Sequence, residues 1–159
     1  MDSKEFLISY LNDFSDLVKS DKNIVDQLEK VAVILKAVHA NGNKTIIFGN
    51  GGSAAMASHF SVDLTKNAGL RCVNFNEADL ITCFANDYGF ERWIEKAVDF
   101  YGDEGDLLIV ISSSGSSKNM LNGVKAARNG KFKAVITLSG FDQNNPLCQL
   151  GDINLWVDS

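Results

Sequence analysis

Apolar residues in the first 42 positions recur every three or four residues. Phe6, Leu7, Tyr10, Leu11, Phe14 and Leu17 fall on one helical face over about residues 3–19. A second helix is predicted to start near Asp21–Asn23, run through "IVDQLEKVAVILKAVHANG" and stop at Gly42. From Lys44 the texture changes to short, unbroken apolar runs bounded by glycine and serine. "KTIIFGN", "LRCVNF", "GDLLIVISSSG", "FKAVITLSG" and "INLWVDS" read as strands. Between them "GGSAAMASHFSVDLTKN", "DLITCFAND", "FERWIEKAVDFY" and "SKNMLNGVKAARNG" read as helices, and a loop before the last strand holds the single proline, Pro146. Strands alternating with helices predict right-handed βαβ units and a parallel sheet covered on both faces. The expectation is one α/β domain over residues 1–159, with a helical extension (1–42) and a core (43–159). Two amphipathic helices before the first strand exceed what a minimal sheet needs, and they offer an apolar surface to another subunit.

Composition narrows the function classes. The chain has 159 residues, enough for one core, and its net charge of −5 lacks the basic footprint of a nucleic-acid binder. An anionic ligand must therefore be held by local devices rather than by bulk charge. No apolar run can span a bilayer, and the acidic, amphipathic "MDSKEFLISYLNDF" is not a signal peptide. Cys72, Cys83 and Cys148 are odd in number and widely spaced, which fits free thiols and a cytoplasmic protein without membrane association.

The chemistry gathers at two strand-to-helix junctions. In "IIFGNGGSAA", Gly49, Gly51 and Gly52 permit a tight turn, and Ser53 stands where a helix begins. Free N–H groups and the positive end of the helix dipole favour a phosphate there, although the same residues also make an ordinary serine cap. The motif is neither a Rossmann fingerprint nor a Walker loop. In "ISSSGSSKN", Ser112, Ser113, Ser114, Ser116 and Ser117 surround Gly115 between a buried strand and a helix. Two such loops at the carboxyl ends of parallel strands point to one anion site built from amides and hydroxyls.

Further along the first of these helices, His59 and Asp63 lie four residues apart and share a face. This spacing suits two ligands of a divalent ion such as zinc, or a carboxylate base with a tuning neighbour. It equally suits a plain surface pair. In "ANDYGF", Asn86 and Asp87 either hydrogen-bond sugar hydroxyls or cap the next helix. Arg92, Trp93 and Trp156 read as packing or interface residues.

Together "GNGGSAAMASHF", "ANDYGF", "GDLLIVISSSGSS" and "AVITLSGFD" resemble the sugar-isomerase (SIS) domain family, and within it the phosphoheptose isomerase group. The resemblance runs from the N-terminal helices to Ser159. It implies a flavodoxin-like three-layer sandwich around a five-stranded parallel sheet, and a homotetramer with active sites at subunit interfaces. The implied reaction is aldose–ketose isomerisation of a sugar phosphate, sedoheptulose 7-phosphate to D-glycero-D-manno-heptose 7-phosphate, for lipopolysaccharide or capsule. By motif position Asn50, Gly51, Gly52, Ser53, Asn86 and Asp87 would meet the substrate. Ser112, Ser113, Ser114 and Ser117 would hold its phosphate, and His59 would be a zinc ligand.

Two departures accompany the resemblance. The family's catalytic glutamate, also a metal ligand, falls on Asp63, which is one methylene shorter. A misplacement of roughly 1 Å can cost on the order of 10²-fold in rate. Members of the group also continue into a C-terminal helix bearing a glutamine and a histidine. The sequence stops at Ser159, so a longer protein and a second acid–base group outside this chain are expected. A non-catalytic sugar-phosphate-binding module acting through a protein partner is the alternative that fits both departures.

Overall fold

Five strands form one parallel sheet in the order β2-β1-β3-β4-β5 in the computed structural model, which describes residues 2–19 and 21–158. The outermost positions of the expected domain, Met1 and Ser159, lie outside the described residues, as does Ser20. The chain begins with α1 (Ser3–Leu17) and α2 (Lys22–Ala40), followed by β1 (Thr45–Gly49), α3 (Gly52–Lys66) and β2 (Cys72–Val73). Next come α4 (Ala78–Tyr88), a 3₁₀ turn (Phe90–Arg92), α5 (Trp93–Tyr101), β3 (Leu107–Ser112) and α6 (Lys118–Asn129). It closes with β4 (Ala134–Ser139), a second 3₁₀ turn (Pro146–Gln149) and β5 (Ile153–Trp156). This is the flavodoxin-like strand order.

Strand periodicity divides the core between two faces. Ile46, Phe48, Leu108, Val110 and Val135 pack against Trp93, Ile94, Val98, Met120 and Val124 of α5 and α6. Ile47, Leu107, Ile109, Ile111 and Ile136 point the other way, against Val31, Leu35 and Val38 of α2 and Ala57 and Leu64 of α3. Every residue of β1 and β3 is buried, which explains why Ile46–Phe48 and Leu107–Ile111 are unbroken apolar runs rather than alternating ones. Trp93 belongs to this packing, edge-on to Phe48 with ring centroids 5.5 Å apart.

The elements differ from their expected extents in two places. "LRCVNF" pairs with β1 only at Cys72 and Val73. Beyond them the chain peels toward α3, because Asn74 donates to Ser61 Oγ at 2.8 Å and Asn76 donates to Ala54 O and Ser58 Oγ at 3.0 and 2.8 Å. Asn86 and Asp87 do not cap the helix that follows. They lie in the last turn of α4, which ends at Gly89 with φ of 89°.

At the amino-terminal edge of the sheet Asp106 is fully buried and accepts from the Lys44 backbone N–H at 3.0 Å, the Lys44 ammonium at 2.6 Å and the Asp103 N–H at 2.9 Å. Burial works against the Lys44 charge, but the Asp103 and Asp106 carboxylates outweigh it and hold the ammonium above the ordinary lysine value. The cluster fixes the start of β1 to the start of β3. Removing one partner of a buried ion pair strands the other charge. Asp106→Ala should therefore lower the unfolding free energy by about 3 kcal/mol in urea titration. The exposed partner, by contrast, should tolerate Asp103→Ala with a much smaller loss. Equal losses would contradict this assignment.

Candidate functional site

β1 and β3 lie side by side and in register from Thr45↔Leu107 to Gly49↔Ile111, so the two loops leaving their carboxyl ends start level. Each loop feeds a long helix. Gly51 is the residue before α3, with φ 54° and ψ −120°, a conformation that a side chain would resist. Ser117 is the residue before α6. Two helix amino termini therefore meet at one edge of the sheet, each with orphan N–H groups and a positive dipole end.

Between them is a cleft of about 270 Å³ lined by Asn50, Ser53, Ile111, Ser112, Ser113, Ser114, Ser117 and Phe141. Six of the residues singled out from the sequence thus share one concavity. None of its lining residues is charged. Anion recognition there must rest on hydroxyls, amides and helix ends, as the chain's net negative charge anticipated.

The cleft walls are tied together by two side chains that the sequence did not flag, Asn119 and Asn145. Asn50 Nδ2 donates to Asn119 Oδ1 at 3.1 Å, and Asn119 Nδ2 donates back to Asn50 Oδ1 at 2.9 Å. This reciprocal amide pair joins the glycine loop to the first turn of α6, and Asn119 is buried. A polar residue beside Met120 on the inward face of α6 was the available signal. The serine loop turns at Gly115, whose φ is 58° and where any Cβ would collide with the amide of Asn145. Asn145 is buried and donates to Ser139 Oγ at 3.0 Å and Asp142 O at 2.8 Å. Leu147 N–H reaches Gly115 O at 3.0 Å, and Gly140 N–H reaches Ser113 O at 2.9 Å. The loop after β4 thereby splints the serine loop.

Other sequence-flagged residues stand apart from the cleft lining. Gly51 and Gly52 are exposed in the turn at its rim. Asn86 and Asp87 are exposed on α4, where Asn86 Nδ2 donates to Asp87 Oδ1 at 2.9 Å. His59 and Asp63 lie on the outward side of α3, with side chains 80% and 46% exposed and His59 Nε2 3.6 Å from Asp63 Oδ2. Met56 shares that face at i, i+3 and i+7 and is also exposed. Asp63 additionally accepts from Asn67 Nδ2 at 2.9 Å. His39 is engaged at the opposite edge of the sheet, accepting the Arg71 N–H at 3.3 Å.

Among the described residues no three His, Cys, Asp or Glu side chains cluster to hold a metal. The 3.6 Å between the His59 and Asp63 donor atoms is a few tenths of an ångström wider than the roughly 3.3 Å between two corners of a tetrahedral ion with bonds of about 2 Å. The donor types fit zinc. Cys72, Cys83 and Cys148 are unpaired, and burial pushes the Cys72 thiol up to about 12, which leaves it a packing group.

A doubly wound sheet with an uncharged polar cleft at the β1/β3 edge is the frame of a ligand-binding α/β domain. Residues 9–140 match the SIS domain family, and the chain belongs to it. It is 38% identical to the phosphoheptose isomerase of Aliarcobacter butzleri, over 98% of this chain and 82% of that one. The structure of phosphoheptose isomerase GmhA from Neisseria gonorrhoeae has a TM-score of 0.88 and 31% identity, over 98% of this chain and 86% of that one. A phosphoheptose isomerase from Francisella tularensis gives a TM-score of 0.85 at 28% identity and covers this chain completely.

Proposed function

We propose that the protein is an aldose–ketose isomerase acting on a sugar phosphate, with sedoheptulose 7-phosphate as the substrate. The observation that carries this reading is the cleft itself. Two serine- and glycine-built helix starts converge on one anion-sized site, in a chain whose relatives bear the name phosphoheptose isomerase. Ser53, Ser112, Ser113, Ser114 and Ser117 hold the phosphate with the first-turn amides, and Asn50, Gly51 and Gly52 form the adjoining rim. Ten residues of α3 separate Ser53 from Asp63, a rise of about 15 Å. A substrate touching both must be long, which favours a seven-carbon phosphate over a triose.

Asp63 is the proton carrier in this reading. Its carboxylate takes a hydrogen from C1 of the open-chain ketose and returns it to C2, while the hydroxyl proton passes from O1 to O2 by way of the cis-enediol. The product is the aldose, with no net gain or loss of atoms. Zinc, held by His59 and Asp63 with further ligands from outside the described residues, would polarise the carbonyl and lower the cost of enediolate charge. Asn86 and Asp87 are assigned to sugar hydroxyls. Because they and the His59–Asp63 face stand outside the cleft lining, their contribution requires substrate or a neighbouring subunit to complete the site.

A neighbouring subunit is also what α1 calls for. Phe6, Leu7, Tyr10, Leu11 and Phe14 are each more than half exposed, and no residue of the helix is buried. A helix of this length has little stability without a packed face. We assign this surface to a homotetramer. Sedimentation velocity at micromolar concentration should find the tetramer, and a monomer would refute the assignment. The remaining contexts, a cytoplasmic location and supply of heptose to lipopolysaccharide or capsule, follow from the same reading. The described residues include no helix long and apolar enough to cross a membrane.

Incubation with sedoheptulose 7-phosphate in D₂O tests the reaction. Deuterium should enter beside the carbonyl, and Asp63→Asn should slow this by at least about 10²-fold while phosphate binding persists. Binding without exchange by the native protein would instead favour a regulatory sugar-phosphate sensor.

A further inference from the structure

Phe141 lines the cleft between the β1 and β3 loops, where a phosphate alone would have no use for a phenyl ring. It follows Gly140 at the carboxyl end of β4, and the residue is 59% exposed. Its φ is 54°, the left-handed region that a bulky non-glycine residue rarely adopts. An exposed phenyl ring on a strained backbone gains little from folding, since it packs against no core. Strain of this kind persists only where the surroundings over-determine it, and it concentrates at ligand sites.

The surroundings here do over-determine it. On one side Gly140 N–H is bonded to Ser113 O. On the other, Asn145 holds Asp142 O, and Asp142 Oδ1 accepts the Asn144 N–H at 2.8 Å. The backbone of Phe141 is thus clamped to the same serine loop that would take the phosphate, so ring and anion site are held in one frame. All other cleft-lining side chains except Ile111 are polar, and Ile111 is buried at the end of β3.

We infer that Phe141 is a specificity-determining residue, an apolar wall that packs on the carbon chain next to the bound phosphate. This rests on the sugar-phosphate reading of the cleft. Hydroxyls and amides recognise the phosphate group alone and cannot tell an ester from the free ion. The ring supplies that distinction, because the C–H surface of the terminal sugar carbons covers it only when a carbon chain is attached.

The test compares sedoheptulose 7-phosphate with inorganic phosphate by calorimetry on the intact protein. Phe141→Asn removes the ring and keeps a residue tolerant of the left-handed backbone, and Phe141→Gly removes ring and strain together. Both variants should bind inorganic phosphate within about twofold of the native value and bind the sugar phosphate about fivefold to tenfold more weakly. Phe141→Tyr should retain both affinities. Unchanged sugar-phosphate affinity in the Asn and Gly variants overturns the inference, and so does an equal loss for both ligands, which would mean that the residue shapes the loop. A native protein that binds neither ligand refutes the cleft reading itself, and the inference with it.

Discussion

The cleft exists because β1 and β3 are paired in parallel with no offset. Gly49 faces Ile111 at the last rung, so the glycine loop and the serine loop depart at the same height and their helices begin within reach of one ligand. A slip of one residue would invert the faces of every side chain on one strand, sending Ile47 or Ile109 to the wrong layer. Burial on both sides makes such a slip prohibitive. The buried Asp106 carboxylate, bound to the Lys44 amide and ammonium, pins the same pair of strands at the other end. The chemistry at the carboxyl edge thus inherits its geometry from packing and charge at the amino edge.

Onto this frame the chain adds short-range splints rather than cations. The Asn50–Asn119 amide pair fixes one loop to the helix of the other, and the Gly140 and Leu147 N–H groups hold the serine loop at Ser113 O and Gly115 O. Preorganised donors of this kind need no rearrangement when an anion arrives. They also spare the site a lysine or arginine, whose long side chain would have to be ordered on binding. The outward face of α3 is different in character. Met56, His59 and Asp63 are displayed to solvent rather than braced, as is the apolar face of α1. The single subunit is braced at the cleft between the β1 and β3 loops and displays these two helix faces to solvent.

What could be read in the sequence follows from the range of the interactions involved. The buried runs in β1 and β3 are self-announcing, since both faces demand apolar residues. The Ser53 and serine-loop junctions were legible because each is a local motif and strand order brings them together. The short extent of β2 was not, for it depends on Asn74 and Asn76 finding partners on α3, 13 to 22 positions away. Asn86 and Asp87 were open between ligand and cap, and Gly89 removes the cap by ending α4 just after them. Asn145 and Phe141 acquire meaning only through contacts across loops, and Asn119, marked only by its polarity beside Met120, through the Asn50 amide that it meets. His59 and Asp63 were visible by spacing, although spacing could not say that both would face outward.

The proposed site puts the phosphate of the substrate between the β1 and β3 loops. Amide chemical-shift mapping during titration with sedoheptulose 7-phosphate addresses it directly. The largest shifts should fall on Gly51–Ser53 and Ser113–Ser117, with smaller ones at Asn119 and Phe141. Shifts centred instead on the groove between α2 and β5, around Val33, Ile34 and Ile153, would contradict it.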